Sequence, residues 1–305
     1  MKKVIVTTTI NPVTEALQRY QRLTDWELVV VGDKNTPSPY MLNRGIYVSP
    51  DMQERYDKAL SDAIGWNCVP RRNFGLLWAK DMGADIIALV DDDNRPFDHW
   101  GQDLLLGSEC LINYYETSLP AFDPVGATNV KHLWHRGYPL QLIPERDYLM
   151  MSRKKMCVDV QADFWNGAPD VDALCRMAYK PQCEFDPGFF PLGSNVFSPF
   201  NSQNTFLSKK VLPHYFLFPH VGRMNDIWAA YYVQALGYKV VYQKPSVYQL
   251  RNPHDLIADM REEYIGYENN LQLVEALSRD HRAIQKYLPP AALRAFELYQ
   301  RHFTG

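Results

Sequence analysis

The chain has 305 residues, of which 46% are hydrophobic and 22% are charged, and these proportions are typical of a globular protein rather than a disordered one. Its net charge of −3 and its scattered basic residues argue against a nucleic-acid partner. The amino terminus turns polar after a short apolar run, too short for a signal peptide, and no stretch approaches the length of a membrane span. We therefore expect a cytoplasmic protein with no transmembrane segment, for which peripheral contact with a membrane stays open.

The first third of the chain alternates short apolar runs with helical patterns. Residues 4–9 predict a strand, and Asn11 and Pro12 predict the cap and first position of a helix that continues over residues 14–23. The remaining elements are strands over residues 26–31, 46–48 and 86–90 and helices over residues 53–64 and 73–82. This βαβ series predicts a parallel sheet with right-handed crossovers.

Between about residues 95 and 200, proline, glycine and aromatic residues interrupt every long periodicity, which is typical of a region that shapes a binding site. Regular patterns return in the last third of the chain. They predict a helix over residues 226–236, a strand over residues 239–242 and two helices over residues 255–267 and 271–301.

The most informative motif is the triplet Asp91, Asp92 and Asp93, which directly follows the apolar strand over residues 86–90. A buried strand in this position delivers carboxylates to the carboxyl edge of the sheet, where open α/β proteins bind ligands. At about 5 Å and an effective dielectric constant of about 20, each like-charged pair costs roughly 3 kcal/mol, so a divalent cation is the simplest compensating partner. The triplet predicts a Mn²⁺ or Mg²⁺ site with Asp91 and Asp93 as ligands. A solvated turn is the alternative interpretation.

Three polar residues follow the first two strands and are expected at the same edge of the sheet. Thr8 and Thr9 end the first strand, and Asp33 ends the second. Their hydroxyl and carboxylate groups are candidates to bind a nucleobase or a ribose. Asp33 is alternatively a turn residue.

Arg71, Arg72 and Asn73 precede the helix that leads into the aspartate strand. Arginines at a helix start suit phosphate oxygens, because the guanidinium groups, the free amides and the helix dipole all favour an anion. The three residues are therefore candidates for a phosphate clamp. The alternative is ordinary surface charge at a helix cap.

The second half of the chain contributes three further candidates. Arg136 stands beside Gly137, which allows the backbone to pass close to a diphosphate or a developing oxyanion; the alternative is a surface arginine in a loop. Asp226 precedes an apolar helix and is well placed as an N-cap, although a capping carboxylate can also act as a general base. His254 is by itself a hydrogen-bonded loop residue whose imidazole is able to bind a metal.

Eight short motifs, taken in order, resemble segments of two related families. Four are similar to signatures of the STELLO-type glycosyltransferases, and they are residues 8–15 (TTINPVTE), 30–37 (VVGDKNTP), 72–75 (RNFG) and 91–94 (DDDN). Four others are similar to segments of the reversibly glycosylated polypeptides, the plant UDP-arabinopyranose mutases, and they are residues 136–139 (RGYP), 169–173 (PDVDA), 226–228 (DIW) and 252–253 (NP). The motifs cover most of the chain, and their joint order carries the resemblance.

The resemblance implies a GT-A-like, Rossmann-type α/β fold, with a mostly parallel sheet flanked by helices. We accordingly expect one compound domain over residues 1–270, with a nucleotide half (1–95) and an acceptor half (96–270). Residues 271–305 are expected to form a helical carboxyl-terminal extension.

The resemblance also implies the chemistry. A nucleotide diphosphate sugar, expected to be a UDP-sugar, would bind through Mn²⁺ or Mg²⁺, with Asp92 turned toward the ribose or the donor sugar. In many GT-A enzymes a late histidine completes the metal coordination, and an acidic residue at a helix start commonly faces the acceptor; these roles map onto His254 and Asp226. A glycan or another hydroxyl acceptor would then attack the anomeric carbon. In the mutases the arginine of the RGYP segment is the site of reversible self-glycosylation, and it maps onto Arg136. A second family arginine corresponds to Ile143 here, although Arg146 lies nearby in the sequence.

These inferences leave three hypotheses. The leading one is a metal-dependent glycosyltransferase. The second is a nucleotide-sugar mutase that interconverts pyranose and furanose rings. The third, of a different class, is a non-catalytic subunit that binds a nucleotide sugar without turnover.

Overall fold

The computed structural model describes residues 1–147, 150–250 and 255–304. Within these ranges the strands join into one sheet. The strands are β1 (Lys3–Thr9), β2 (Glu27–Gly32), β3 (Ile46–Val48), β4 (Ile86–Val90), β5 (Asn94–Pro96), β6 (Glu109–Tyr115), β7 (Met150–Cys157), β8 (Val160–Gly167), β9 (Leu192–Ser194), β10 (Asn204–Ser208) and β11 (Val240–Gln249).

The α-helices flank this sheet or extend beyond it, so the predicted α/β class is confirmed. They are α1 (Glu15–Tyr20), α2 (Pro50–Tyr56), α3 (Lys58–Ile64), α4 (Arg72–Asp81), α5 (Ala173–Tyr179), α6 (Asn225–Ala235), α7 (Leu256–Leu277) and α8 (Pro290–Arg301). Across the described ranges, none of the helices combines the length and the hydropathy that a bilayer span requires.

The first four strands form the parallel sheet that the sequence predicts, in the order β3-β2-β1-β4. All five residues of β4 are buried, which explains its unbroken apolar run, since a strand covered on both faces has no polar side. The carboxyl ends of β1, β2 and β4 meet at one edge. The polar residues that end or follow these strands are thereby brought to the same place.

Beyond β4 the sheet is mixed, in contrast to the mostly parallel sheet that was predicted. β10 runs antiparallel between β4 and β8, while β11 is parallel to β8. Asn204, the first residue of β10, lies opposite Val90, the last residue of β4. Because β10 begins where β4 ends, the residues before β10 lie beside the aspartates, and the Asp91 amide donates to the Gln203 carbonyl at 3.1 Å.

The start of α1 differs from the prediction. The helix begins at Glu15 rather than near Pro12, and its cap is Thr14, whose hydroxyl accepts from the Leu17 amide. The Asn11 side chain instead donates to Asp92 Oδ2 at 3.0 Å. The Asn11 side chain is therefore hydrogen-bonded to the aspartate triplet and does not cap the helix.

Three other predicted helices have different limits. The helix predicted over residues 53–64 is divided into α2 and α3, because the Asp57 side chain accepts from the Leu60 amide and starts a second helix there. Near the carboxyl terminus α7 is continuous to Leu277, and α8 starts only at Pro290. Residue 270, where the main domain was expected to end, thus lies inside α7, and the division into domains stays a prediction.

The packing of α4 on β1 and β2 depends on Gly75. An added Cβ at this position would lie 2.3 Å from Val6 Cγ1 and 2.9 Å from Val31 Cγ2, which is closer than carbon atoms approach without displacement. Both valines are completely buried in the sheet and cannot move aside. The glycine therefore fixes how closely the helix that carries Arg72 approaches the sheet.

We expect Gly75→Ala to lower the free energy of unfolding by about 1–3 kcal/mol, as overpacking of a core does. The matched control is Gly188→Ala, at an exposed glycine where the nearest atom to the new Cβ would be the carboxylate of the exposed Asp186 at 3.2 Å, so little stability should be lost. Urea denaturation of both variants measures the difference. Equal losses at the two sites would contradict this account of the α4 packing.

Candidate functional site

A cavity of about 360 Å³ opens at the carboxyl edge of β1, β2 and β4. Seven of the predicted site residues line it, and they are Thr8, Thr9, Asp33, Arg72, Asp91, Asp92 and Asp93. The lining residues that the sequence analysis did not select include Asn67, Cys68, Arg223 and Gln249. The topology thus brings together residues that are far apart in the sequence.

Asp91 is held by an ion pair inside the protein. Its Oδ1 accepts from Arg72 Nη2 at 2.7 Å, and its side chain keeps 26% of its surface exposed, whereas Arg72 is almost fully buried. Burial raises the pKa of the Asp91 carboxyl, and the neighbouring Arg72 guanidinium opposes that rise. Arg72 thus favours the ionised form of this side chain.

Asp92 holds the loop after β1. Its Oδ2 accepts from Thr9 Oγ1 at 2.5 Å and from the side-chain amide of Asn11 at 3.0 Å. Its main-chain carbonyl accepts from Thr14 Oγ1 at 2.5 Å. The carboxylate was predicted to face a ribose or a sugar. In the structure at least one of its oxygens is occupied by the protein, so Asp92 positions the loop that borders the cavity.

Asp93 lines this cavity and also a neighbouring one of about 410 Å³, which Asp92 and Asn11 border as well. Among the residues that the structure describes, no three acidic, histidine or cysteine groups stand close enough to enclose a metal ion. The protein therefore presents carboxylate oxygens without a complete coordination sphere. His254, the predicted third ligand, lies outside the described residues.

Arg72 is the phosphate candidate that the structure places at the cavity. Its Nη2 donates to Asp91 and to Thr8 Oγ1 (3.1 Å), while its Nη1 donates to the carbonyl (2.6 Å) and the hydroxyl (2.9 Å) of Ser202. Four contacts fix the direction of the guanidinium plane. Arg72 is therefore rigidly positioned with one edge at the cavity.

Arg71 points away from the cavity, contrary to the prediction. Its guanidinium stacks on the Trp66 ring, 3.6 Å from the centroid, and donates to Gln53 Oε1, Ser61 and the Gly65 carbonyl. Burial lowers the pKa of Arg71 to about 10. Successive residues on a helix point about 100° apart, so only one of two adjacent arginines can face the ligand.

Asn73 is also structural in this fold. Its side chain exchanges two hydrogen bonds of 2.9 Å with the main chain of Leu217, and it is completely buried. This pair ties α4 to the segment that leads into α6. Asn73 does not line the cavity, so its side chain is not placed for the predicted phosphate contact.

Asp33 combines both of its predicted roles. It lines the cavity, and its carboxylate accepts from the amides of Lys34 (2.6 Å), Asn67 (2.9 Å) and Cys68 (3.1 Å). It is therefore a turn residue that also fixes the loop after α3 against the end of β2. The main chain at Asn67 and Cys68 becomes a wall of the cavity through this contact.

Arg136 is buried between two carboxylates, with only 4% of its surface exposed. Its Nε donates to both oxygens of Asp170, and its Nη1 and Nη2 donate to Asp226 at 3.1 Å each. The two acids raise the pKa of Arg136 well above the ordinary value for arginine, although burial opposes the rise. The structure thus excludes Arg136 from the cavity and from the surface, contrary to both interpretations of the sequence.

The Asp226 side chain is likewise buried and hydrogen-bonded inside the protein. Its Oδ2 accepts from the Ser202 amide at 3.0 Å and hydroxyl at 3.2 Å, in addition to Arg136. It is not an N-cap, because Met224 holds that position and Asp226 lies in the first turn of α6. Asp226 does not line the cavity, so the predicted general base does not reach it.

Arg223 is the charged residue that the sequence analysis missed. It lines the cavity from the turn before α6, and two acids of α7 hold its side chain, with Nε 2.9 Å from Glu263 and Nη1 3.3 Å from Asp259. Its side chain remains 24% exposed. The sequence signal that could have identified Arg223 is its position three residues before Asp226, but none of the eight motifs includes it.

No protein-family model matches the sequence. The sequence is 27% identical over 268 residues to probable glycosyltransferase STELLO1 of Arabidopsis thaliana, an alignment that covers 79% of this chain and 34% of that protein. The chain is homologous to the STELLO glycosyltransferases. Probable glycosyltransferase STELLO2 of the same plant is 26% identical over 275 residues, covering 81% of this chain and 35% of its own length. The chain spans about a third of the length of both STELLO proteins.

Two solved structures show a weaker similarity. Glucosyl-3-phosphoglycerate synthase from Mycobacterium tuberculosis, in complex with Mn²⁺, uridine diphosphate and phosphoglyceric acid, is 14% identical with a TM-score of 0.47, covering 88% of this chain and 78% of that one. A mannosyltransferase from Pyrobaculum calidifontis, in complex with GDP-mannose and Mn²⁺, is 14% identical with a TM-score of 0.37, covering 99% and 82%.

The burial of Arg136 generates a prediction. We expect Arg136→Met to lower the free energy of unfolding by about 3–5 kcal/mol, because it leaves Asp170 and Asp226 buried without their cation. The control is Arg19→Met, which removes an exposed i,i+4 ion pair with Glu15 and is expected to change stability by less than about 0.5 kcal/mol. Urea denaturation measures both, and a near-neutral Arg136→Met would contradict the buried-pair assignment.

Proposed function

We propose that this chain is a GT-A-like glycosyltransferase that takes a nucleotide diphosphate sugar, in the first instance a UDP-sugar, and transfers the sugar to a glycan or another hydroxyl acceptor. The observation that carries the proposal is the cavity at the ends of β1, β2 and β4, where the aspartate triplet meets the polar residues of the first two strands. The similarity to two probable glycosyltransferases supports it.

The charge of the cavity supports a divalent cation, Mn²⁺ or Mg²⁺. Four aspartates and two arginines line it, which gives a formal charge of −2 from these side chains. A diphosphate, itself an anion, would be repelled by that lining unless a cation came with it. Mg²⁺ keeps several ligands from water and substrate phosphates, so one or two protein carboxylates suffice to hold it.

Asp91 and Asp93 are the proposed metal ligands, with His254 as a third ligand in the proposal. When bound, the cation would offset the charge that develops on the departing diphosphate. The protein's own contribution is to fix the direction of the Asp91 carboxylate by its 2.7 Å contact with Arg72, whose positive charge also opposes the rise in the Asp91 pKa that burial causes.

The remaining lining residues are assigned by their chemistry. Thr8, Thr9 and Asp33, with the main chain at Asn67, are proposed to bind the base and the ribose. Arg72 and Arg223 border the region proposed for the phosphates, and Gln249 is proposed to bind sugar hydroxyls. The Gln249 side-chain oxygen is buried and accepts no hydrogen bond from the described part of the chain, which suits a ligand donor.

A thermal-shift measurement tests the metal-linked binding. UDP is expected to raise the melting temperature only when Mn²⁺ is present, because a ligand stabilises the native state to which it binds. Asp91→Asn and Asp93→Asn, which keep the size of each side chain, are expected to abolish the gain without unfolding the protein. The control is Asp186→Asn, remote from the cavity lining, which should retain the full shift. Stabilisation by UDP that is independent of metal would contradict the proposal.

The burial of Arg136 favours transfer over ring isomerisation through a sugar attached to this residue. A guanidinium that stays protonated between two carboxylates has no free electron pair with which to attack an anomeric carbon.

Incubation with a UDP-sugar alone should therefore give no sugar adduct at Arg136 by mass spectrometry and no ring isomer by nuclear magnetic resonance. Either product would support the mutase. Metal-linked UDP-sugar binding without product from any acceptor would support the non-catalytic subunit.

A further inference from the structure

A line of alternating charges runs through the interior from the acceptor half to Asp91. It begins at Asp170, continues through Arg136 to Asp226, and ends at the ion pair of Arg72 with Asp91. The first three members come from residues 136–226, whereas the last two belong to the nucleotide half. Ser202 is the residue that joins the two parts.

Ser202 makes four hydrogen bonds, two toward each side. Its amide and its hydroxyl both approach Asp226 Oδ2, at 3.0 Å and 3.2 Å, and its carbonyl and its hydroxyl accept from Arg72 Nη1, at 2.6 Å and 2.9 Å. The hydroxyl therefore donates to a carboxylate and accepts from a guanidinium at the same time. Only 1% of the residue is exposed, so water does not replace either contact.

We infer that Ser202 is a positioning residue, which transmits the fixed position of Asp226 to Arg72 and so holds the Asp91 carboxylate in the orientation that binds the cation. The inference rests on the proposed function, because it concerns the same metal site. It also gives Asp226 and Arg136 a role at a distance, since neither lines the cavity.

The geometry explains why the hydroxyl matters. Arg72 divides its two terminal nitrogens, with Nη1 on Ser202 and Nη2 on Asp91, so a rotation that loosens the first contact also moves the second. The Nε of Arg72 is buried and finds no acceptor within the described ranges, so it adds no anchor of its own. The direction of the guanidinium therefore depends on Ser202 and Thr8 together with Asp91.

The experiment measures Mn²⁺ affinity by electron paramagnetic resonance, without nucleotide and without turnover, and then UDP affinity at saturating Mn²⁺. Ser202→Ala is expected to weaken Mn²⁺ binding about tenfold, close to the loss of one hydrogen bond to a charged group, since the main-chain contacts of residue 202 with Arg72 and Asp226 remain. Ser202→Thr, which keeps a hydroxyl, should restore most of the affinity. A purely structural role would change the melting temperature of the ligand-free protein and leave the Mn²⁺ affinity of the folded fraction unchanged.

Ser198→Ala is the matched control, because Ser198 is a buried serine of the same segment whose hydroxyl contacts Tyr242 and Gln234 instead of Arg72. It should bind Mn²⁺ like the unaltered chain. Should Ser202→Ala not fold, Ser202→Cys gives the same readout, since a thiol keeps about the same volume but is only a weak hydrogen-bond donor and acceptor. Mn²⁺ affinity within twofold of the unaltered chain in either variant overturns the inference, as does an equal loss in Ser198→Ala. Failure of the unaltered chain to bind Mn²⁺ would instead overturn the proposed function.

Discussion

Three consecutive carboxylates at the end of a buried strand repel one another, and the structure around the cavity depends on how each of them is held. The Asp91 carboxylate is paired with the buried guanidinium of Arg72. The Asp92 carboxylate receives neutral donors, the hydroxyl of Thr9 and the amide of Asn11. Both kinds of partner fix the direction of a carboxylate, and the charged one also offsets its negative charge. The protein thus treats two adjacent aspartates in different ways.

The three arginines that the sequence predicts at the site are almost fully buried, and each is partnered inside the protein. Arg71 lies on an indole and among carbonyl oxygens, Arg72 joins the two halves, and Arg136 sits between two acids. Buried charges need such partners, because removal of one partner leaves the other uncompensated in a medium of low dielectric constant. Much of what the motifs encode is therefore the arrangement of the interior. Their chemistry at the cavity is confined to a smaller set of side chains.

The sequence predicted the first four strands well, because an unbroken apolar run followed by polar residues has few structural interpretations other than a buried strand. The strand over residues 86–90 has the predicted limits, and the residues that follow β1, β2 and β4 do line one cavity. The predictions were wrong where the direction of a side chain depends on tertiary contacts. Nothing local distinguishes Arg71 from Arg72, since one residue of helical rotation decides which of them faces the ligand. The pairing of Arg136 with Asp226 spans 90 residues of sequence, and no periodicity reports such a contact.

The antiparallel contact between β10 and β4 has a consequence for how the two halves depend on each other. β4 is apolar along its whole length, and on one side its main-chain groups bond to β10. A fragment that ended after the aspartates would expose this strand as a bare, uncharged edge, which invites pairing between molecules and aggregation. The segments before and after the aspartates also share a continuous hydrogen-bonded ladder, so they are not free to hinge apart as separate lobes.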